Sequence, residues 1–216
     1  MARRDTKSLR TMGFSCIVGA AVLTALAIAT QVVQASTDVS KDQWSYPWSS
    51  GTSITFDLLG AGSELLLALG VLGLLRSRVA GTARAASLAI WVGFVGTALV
   101  VVGHLSSIPV RNELVDDGWP RIVSGVFGLG TVLTAVGFLL AGRATIRAGI
   151  WRDWRRFTPL AVGVWSAVLI GLQFTPALPT AVAVYGLFFL ALGIALCRQA
   201  APGVEKSALA VQEQAA

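Results

Sequence analysis

Residues 54–75 read ITFDLLGAGSELLLALGVLGLL, an apolar run that nevertheless contains two acids, Asp57 and Glu64. At about 1.5 Å per residue, roughly 20 apolar residues cross the hydrocarbon core of a bilayer. The run therefore predicts a transmembrane helix with Glu64 near mid-membrane and Asp57 near one surface. A central acid opposes insertion by about 2.5 to 3.5 kcal/mol, and each leucine favours it by about 0.3 to 0.6 kcal/mol. The nine leucines of the run offset roughly one acid, so we expect insertion.

The helical spacing of the two acids predicts where they face. Seven residues make almost two whole turns, so Asp57 and Glu64 lie on the same side of the helix. Small residues share this side and allow a neighbouring helix to approach closely, whereas a different face is bulky and suited to lipid. We therefore expect both acids to point into a helix bundle. The small residues are Gly60, Ala61 and Ala68, and the bulky face contains Leu58, Leu65, Leu69 and Leu72.

The composition of the whole chain indicates a membrane protein. Hydrophobic residues make up 55% of the 216, charged residues only 13%, and 23 glycines are spread through the apolar runs. Lysine and arginine outnumber the acids by 17 to 11, which raises the question of nucleic-acid binding. The positive charges lie in short loops beside apolar segments, where they orient a membrane protein, and no basic and aromatic binding module is present. We therefore expect no nucleic-acid partner.

Six apolar segments predict an all-α fold, a polytopic transmembrane bundle of six spans. The basic N-terminus covers residues 1–13, the transmembrane domain covers 14–197, and a polar tail covers 198–216. The tail is rich in Ala, Gln and Glu and is predicted to be disordered and cytoplasmic. The predicted spans are 14–34, 54–75, 85–103, 122–142, 157–174 and 180–197.

The distribution of positive charge predicts the orientation of the bundle. With the N-terminus in the cytoplasm, 14 of the 17 lysines and arginines lie inside, and only Lys41, Arg111 and Arg121 lie outside. This is the asymmetry that the positive-inside rule describes. Both termini are therefore predicted to be cytoplasmic, with Asp57, His104 and Arg121 toward the outer surface.

The first apolar segment allows two interpretations. A basic start, an apolar run and Val33-Gln34-Ala35 before Ser36 resemble a signal peptide with its cleavage site. The apolar stretch is longer than the usual core of about 7 to 15 residues, which favours a retained membrane anchor. Cleavage within residues 1–35 stays an alternative.

Two segments carry residues typical of a membrane interface. In the polar loop 35–53, aromatic rings suit an interfacial belt, and a ligand-binding lip is the alternative. The segment RATIRAGIWRDWRR, residues 143–156, suits a helix lying in the interface with its guanidinium groups toward anionic lipid, or a helical extension of its neighbours. The predicted interfacial residues are Trp44, Tyr46, Trp48, Arg147, Trp151, Trp154 and Arg155.

A few polar residues are candidate partners of the acids. His104, the only histidine, ends the third predicted span. A histidine can exchange protons at physiological pH, although a lone one at a helix mouth more often faces water. The fourth span carries hydroxyls that could donate to Glu64 or bond back to their own helix. These hydroxyls belong to Ser124, Thr131 and Thr134.

The layout resembles small six-span proteins of unassigned function from high-GC bacteria. The resemblance lies in Ser45-Tyr46-Pro47-Trp48, in the helix end Gly70-x-x-Gly73-Leu74-Leu75-Arg76-Ser77, and in the use of Arg over Lys. It covers the first three spans best. It implies a location in the bacterial plasma membrane and supplies no catalytic residues.

Three functional hypotheses follow. The favoured one is a non-enzymatic membrane component that partners lipids, another membrane protein or a second copy, with Glu64 buried, neutral and bonded to a hydroxyl. The second is a small proton- or cation-coupled transporter that uses Asp57 and Glu64, since an acid at mid-membrane is a functional-site candidate by default. The third is an enzyme acting on lipid-linked substrates at the outer face through Asp57, His104 or Glu113.

No pattern in the sequence predicts a metal site, a cofactor or a catalytic set. The hypotheses differ in what they require of the second span. A cavity of ligand size on its inner face favours transport, and a sealed seam favours the structural role.

Overall fold

The computed structural model describes residues 2–173 and 175–199, with side chains from residue 6 onward. Within these residues the chain forms six α-helices and one 3₁₀ helix, and no β-strand. The predicted tail, 198–216, lies outside the described residues apart from its first two positions. The α-helices are α1 (Ala2–Gln34), α2 (Ser50–Ser77), α3 (Arg84–Val110), α4 (Gly118–Ala148), α5 (Thr158–Leu172) and α6 (Leu178–Gln199), and the 3₁₀ helix is Asp153–Phe157.

The predicted all-helical class is confirmed, and five helices are long and apolar enough to cross a membrane. These five are α1, α2, α3, α4 and α6. The exception is α5, whose 15 residues correspond to roughly 22 Å at about 1.5 Å per residue. Pro159, in the first turn of α5, and the 3₁₀ helix before it set its start. The fifth predicted span, 157–174, is therefore present as a helix shorter than a full crossing.

All the helices except α5 extend beyond the apolar runs that predicted them. The largest extension at a C-terminal end is in α3, which was expected to end near Gly103 and continues to Val110, with Pro109 in its last turn. A hydropathy pattern marks the segment that suits hydrocarbon, whereas a helix continues as long as its backbone hydrogen bonds can be satisfied. His104 therefore lies inside a helix, and its expected place at a helix mouth is wrong.

The six helices form a closed ring in chain order. Each helix packs mainly against its neighbours in the sequence, and α1 packs against α6 to close the ring. Between α2 and α6, the two helices that flank α1, the contact is slight. A ring of helices leaves space on its axis, which side chains must either fill or leave as a cavity.

Glycines allow the closest helix pairs to approach. Between α3 and α4, a Cβ added at Gly137 would clash with the backbone nitrogen of Gly93 and lie 2.8 Å from the carbonyl oxygen of Ala89. Between α1 and α6, a Cβ at Gly193 would lie 2.9 Å from the carbonyl oxygen of Gly13. Such contacts are the usual basis of tight helix association in a membrane, where apolar side chains gain little by leaving lipid.

The loops at one end of the ring are joined to each other. The amide of Trp44 donates to the carbonyl oxygen of Glu113 at 3.0 Å, and the amide of Val115 donates to Asp42 at 2.8 Å. The loop before α2 and the loop before α4 thus share an isolated antiparallel bridge at Gln43 and Leu114. This end carries Lys41, Arg111 and Arg121, and we call it the loop end. The opposite end, which holds the 78–83 turn and the segment 149–157, we call the basic end.

Two structures were expected for residues 143–156: the interfacial helix is wrong, and the helical extension of a neighbour is confirmed for residues 143–148, which continue α4. Gly149 caps α4 with φ 65°, and an irregular segment leads to the 3₁₀ helix. Trp151, predicted to lie at the lipid interface, is only 2% exposed. Its indole Nε1 donates to Gln199 Oε1 at 3.0 Å, and Gln199 Nε2 donates to the carbonyl oxygen of Ser77 at 3.3 Å. The ring can lie inside the bundle because its N–H has a hydrogen-bond partner there. The spacing of residues along the chain cannot show such a partner.

Candidate functional site

A cavity of about 440 Å³ occupies the axis of the ring between the loop end and the middle of the bundle. All six α-helices contribute to its walls, and the loops before α2 and α4 contribute Trp44 and Val115. The walls are mostly apolar, with a small number of polar side chains among them, as is usual for sites that bind small organic molecules. Its polar lining consists of Glu64, His104, Ser124, Thr131, Thr134, Ser166, Gln173 and Tyr185.

Glu64 is the acid of this cavity. Its side chain is 3% exposed, so the expected inward orientation is confirmed. The small residues expected beside it, Gly60, Ala61 and Ala68, are buried as well, while Leu58 and Leu65 are more than half exposed on the outer face. Glu64 Oε2 is buried and has no hydrogen-bond partner within the described residues. A buried polar oxygen without a partner costs free energy, so its persistence needs an explanation.

The expected hydroxyl partners line the same cavity without bonding to Glu64. Thr131 donates to the carbonyl oxygen of Phe127 at 2.9 Å, one turn back along its own helix. The Thr134 hydroxyl is buried and, within the described part of the chain, has no hydrogen-bond partner at all. The prediction that Glu64 is bonded to a hydroxyl is therefore wrong. The cavity lining instead contains two buried polar atoms, Glu64 Oε2 and the Thr134 hydroxyl oxygen, that have no hydrogen-bond partner within the described residues.

Packed aromatic and aliphatic side chains close the cavity toward the basic end. Phe138 follows Thr134 by one turn of α4, and Phe189 follows Tyr185 by one turn of α6. The ring of Phe189 lies 4.9 Å from that of Tyr185 and 5.4 Å from that of Phe138, between centroids. Phe138 and Phe189 are at most 1% exposed, and Leu67, one turn beyond Glu64, is fully buried. Glu64 thus lies at the floor of the cavity, directly above a dry core.

Asp57 and His104 meet near the loop end. His104 Nδ1 lies 3.5 Å from Asp57 Oδ1, and the two side chains are 23% and 19% exposed. The imidazole packs against Gly60, where a Cβ would lie 2.7 Å from His104 Cε1, and edge-on against Phe127 with centroids 5.1 Å apart. Of this pair only His104 lines the cavity. The expected proximity of Asp57 and His104 is confirmed.

Arg121, the third residue expected in this cluster, is not part of it. Its guanidinium lies 3.6 Å from Asp116 Oδ1, and both side chains are largely exposed. An exposed ion pair of this kind contributes little to stability. Glu113, named for the enzymatic hypothesis, joins the loops through its backbone carbonyl oxygen.

The predicted aromatic belt of the loop end is divided between two roles. Trp44 is half-buried and lines the cavity, so its ring is not wholly turned toward the outside of the bundle. Trp48 stacks on Phe56 of α2, with ring centroids 3.8 Å apart. Tyr46 is half-buried in the same loop.

At the basic end, two of the predicted interfacial residues, Arg147 and Trp154, are exposed, whereas the side chain of Arg155 is only 22% exposed. Arg147 is exposed in the last turn of α4, where a positive charge complements the helix dipole. Trp154 is 42% exposed, with the guanidinium of Arg198 5.7 Å from its ring centroid. Arg155 lies 3.9 Å from Asp153.

Sequence reasoning missed three polar residues of the cavity. Ser166, Gln173 and Tyr185 come from α5, its end and α6. Their signal was a polar side chain inside or at the end of an apolar run, the same signal that drew attention to Thr131. Ser166 is fully buried and donates to the carbonyl oxygen of Val162 at 2.8 Å. Only the ring of helices reveals that these residues face Glu64.

The long apolar helices are compatible with a multi-pass membrane protein. No protein-family model, no curated protein and no solved structure gives a significant match to the chain.

Proposed function

We propose that this protein is a small proton-coupled transporter of the plasma membrane, and that the Glu64 carboxyl alternately holds a proton and a cationic ligand. The observation that carries the proposal is a buried carboxyl oxygen, without a hydrogen-bond partner in the described structure, on the floor of a cavity of about 440 Å³. A sealed seam at this position would have favoured a purely structural component. The cavity supports transport instead.

The walls of the cavity indicate the class of ligand. Trp44, Phe127 and Tyr185 offer aromatic faces, which attract cations as well as apolar groups. A carboxylate pairs with a positive charge, and it does so strongly where water is excluded. A small organic cation with an apolar body satisfies both features. We therefore expect the ligand to be an amphipathic amine or a related cation.

The two ends of the ring differ in the way a carrier requires. The cavity reaches the loop end through Trp44 and Val115, whereas the basic end is closed by the core around Phe138 and Phe189 and by the Trp151 to Gln199 hydrogen bond. Alternating access requires such a site with one closed side. In this proposal the Asp57 to His104 pair lies beside the entrance and passes protons between the surface and the cavity.

Binding of a model cation tests the role of Glu64. Tetraphenylphosphonium is titrated into the detergent-solubilised full chain by calorimetry at several pH values. The proton and the cation compete for Glu64, so the affinity should rise as pH rises. In Glu64→Gln the affinity should fall by about tenfold or more, since the cation loses its counter-charge in a site from which water is excluded, and the pH dependence that this carboxyl causes should disappear.

The matched control is Asp38→Asn, which removes an exposed carboxylate at the loop end and should leave binding unchanged. His104 and Tyr185 are the other ionisable groups of the cavity lining. The variant His104→Gln therefore shows how much of the pH profile depends on the histidine. The coupling of cation transport to proton transport is measured in proteoliposomes. The cation is added, and a pH-sensitive dye reports the release of protons. Unchanged binding and flux in a folded Glu64→Gln protein would refute the transporter.

A further inference from the structure

A second cavity, about 1090 Å³ in volume, lies at the basic end. It forms a groove between the start of α1, the end of α2, the 78–83 turn and the start of α3. Gln199, whose hydrogen bond with Trp151 closes the basic end in the transport proposal, lies at the edge of this groove, and the groove's other lining residues have no part in that proposal. Its position is the one that the positive-inside rule assigns to the cytoplasmic surface of the membrane.

Two arginines of the groove have no carboxylate partner within the described structure. Arg76 Nη1 donates to the Ser8 hydroxyl at 3.0 Å, and Arg78 is exposed at the end of α2. The three ion pairs among the described side chains involve neither arginine. Two uncompensated guanidinium groups on one groove attract an anion, and their planar N–H groups match phosphate oxygens.

The rest of the groove adds polar donors and an apolar wall. The hydroxyls of Thr82 and Ser87 line it and make no hydrogen bond within the described residues. Leu9 and Leu75 provide apolar surface, and Trp91, 45% exposed, lies at the same site. Exposed tryptophan is typical of the headgroup level of a bilayer. A free phosphate would use the donors and leave the apolar wall unused.

We infer that this groove binds the phosphate headgroup of an anionic phospholipid of the cytoplasmic leaflet. Arg76 and Arg78 pair with the phosphate oxygens, and the hydroxyls of Thr82 and Ser87 donate to the headgroup. The acyl chains leave the groove along the leucines and Trp91. This is a defined site between three helices, distinct from the general attraction of basic loops to an anionic membrane surface.

Native mass spectrometry of the full chain with added phosphatidylglycerol or phosphatidylcholine tests this site. The wild-type protein should retain phosphatidylglycerol in preference to phosphatidylcholine. The double variant Arg76→Gln, Arg78→Gln should lose that preference, with an affinity at least about tenfold lower, because charge-assisted hydrogen bonds are removed. The matched control is Arg147→Gln, Arg152→Gln, which removes two positive charges from exposed positions at the same end and outside the groove. It should keep the preference.

Each contrary outcome is decisive. An equal loss in both double variants would show general charge attraction and overturn the site. Displacement of the lipid by inorganic phosphate at equal concentration would identify a free-anion site and overturn the lipid assignment. If the Arg76 variant does not fold, Arg78→Gln with Ser87→Ala replaces it, because neither side chain makes a hydrogen bond within the described residues. Unaltered lipid retention in that variant would refute the proposal.

Discussion

At the scale of single residues, Glu64 shows how a bundle of long apolar helices accommodates an acid in its interior. Facing acyl chains, such a side chain would cost several kcal/mol. Here it is 3% exposed and faces an internal cavity, while Leu58 and Leu65 take the outward positions of the same helix. The burial of Glu64 therefore follows from the direction in which it points. Its lack of a hydrogen-bond partner in the described structure follows from the space left on the ring axis.

Gly60 has an equally local role, because it provides the space for the His104 ring. In Gly60→Ala the new Cβ would lie 2.7 Å from His104 Cε1, so the imidazole must move away from Asp57. We expect the variant to lose about 1 to 3 kcal/mol of unfolding free energy, the usual cost of overpacking. Chemical denaturation in detergent measures the loss. Because His104 is the only histidine, a single imidazole NMR signal reports the displacement.

Gly62 supplies the control in the same helix. A Cβ at Gly62 meets nothing within 4 Å, so Gly62→Ala should retain or gain stability, by up to about 1 kcal/mol from helix propensity. Its histidine signal should match that of the wild type. Identical spectra for the Gly60 and Gly62 variants would contradict the contact between Gly60 and the imidazole.

At the scale of the elements, the tightest packing lies between α3 and α4, where backbone meets backbone. The groups facing Gly137 are the Gly93 nitrogen and the Ala89 carbonyl oxygen. Unlike the end of a flexible side chain, these atoms cannot move without moving the helix. We expect Gly137→Ala to destabilise by about 3 kcal/mol, the upper part of the overpacking range. Thermal unfolding of the purified protein measures the effect.

Gly125→Ala is the matched substitution in α4, since a Cβ there also meets nothing within 4 Å. It should be as stable as the wild type or slightly more so. Equal unfolding temperatures for the Gly137 and Gly125 variants would show that α3 and α4 do not pack as closely as described.

The elements also show where sequence patterns stop being informative. The apolar runs located six helices, and the ends of those helices were placed several residues too early in α3 and α4. Hydropathy reports affinity for hydrocarbon, and a helix does not end where that affinity ends. The basic segment 143–156 had the right periodicity for an interfacial helix. Gly149 and the buried contact of Trp151 with Gln199 gave it a different structure.

At the scale of the whole molecule, charge should orient the ring in the membrane. Only three of the 17 lysines and arginines, Lys41, Arg111 and Arg121, belong to the loop end, so it is the less positive side. We expect Asp38→Cys, in a Cys16→Ala, Cys197→Ser background, to react with a membrane-impermeant maleimide in intact cells. Arg152→Cys should react only after permeabilisation, because the positive-inside rule places it in the cytoplasm. Both positions are exposed, so accessibility in the folded protein is equivalent. The reverse pattern would invert the orientation of the transport and lipid sites.

The sequence by itself determined the all-helical class, the approximate position of each helix and the inward direction of Glu64. These properties depend on residues close in the chain, through apolar length and helical spacing. Only the tertiary structure decided that six helices close into a ring, that Ser166, Gln173 and Tyr185 face the acid, and that Trp44 lines the cavity. The reason is that a pocket is space shared by segments far apart in the chain. Its volume depends on how closely glycines let those segments approach, which no single helix records.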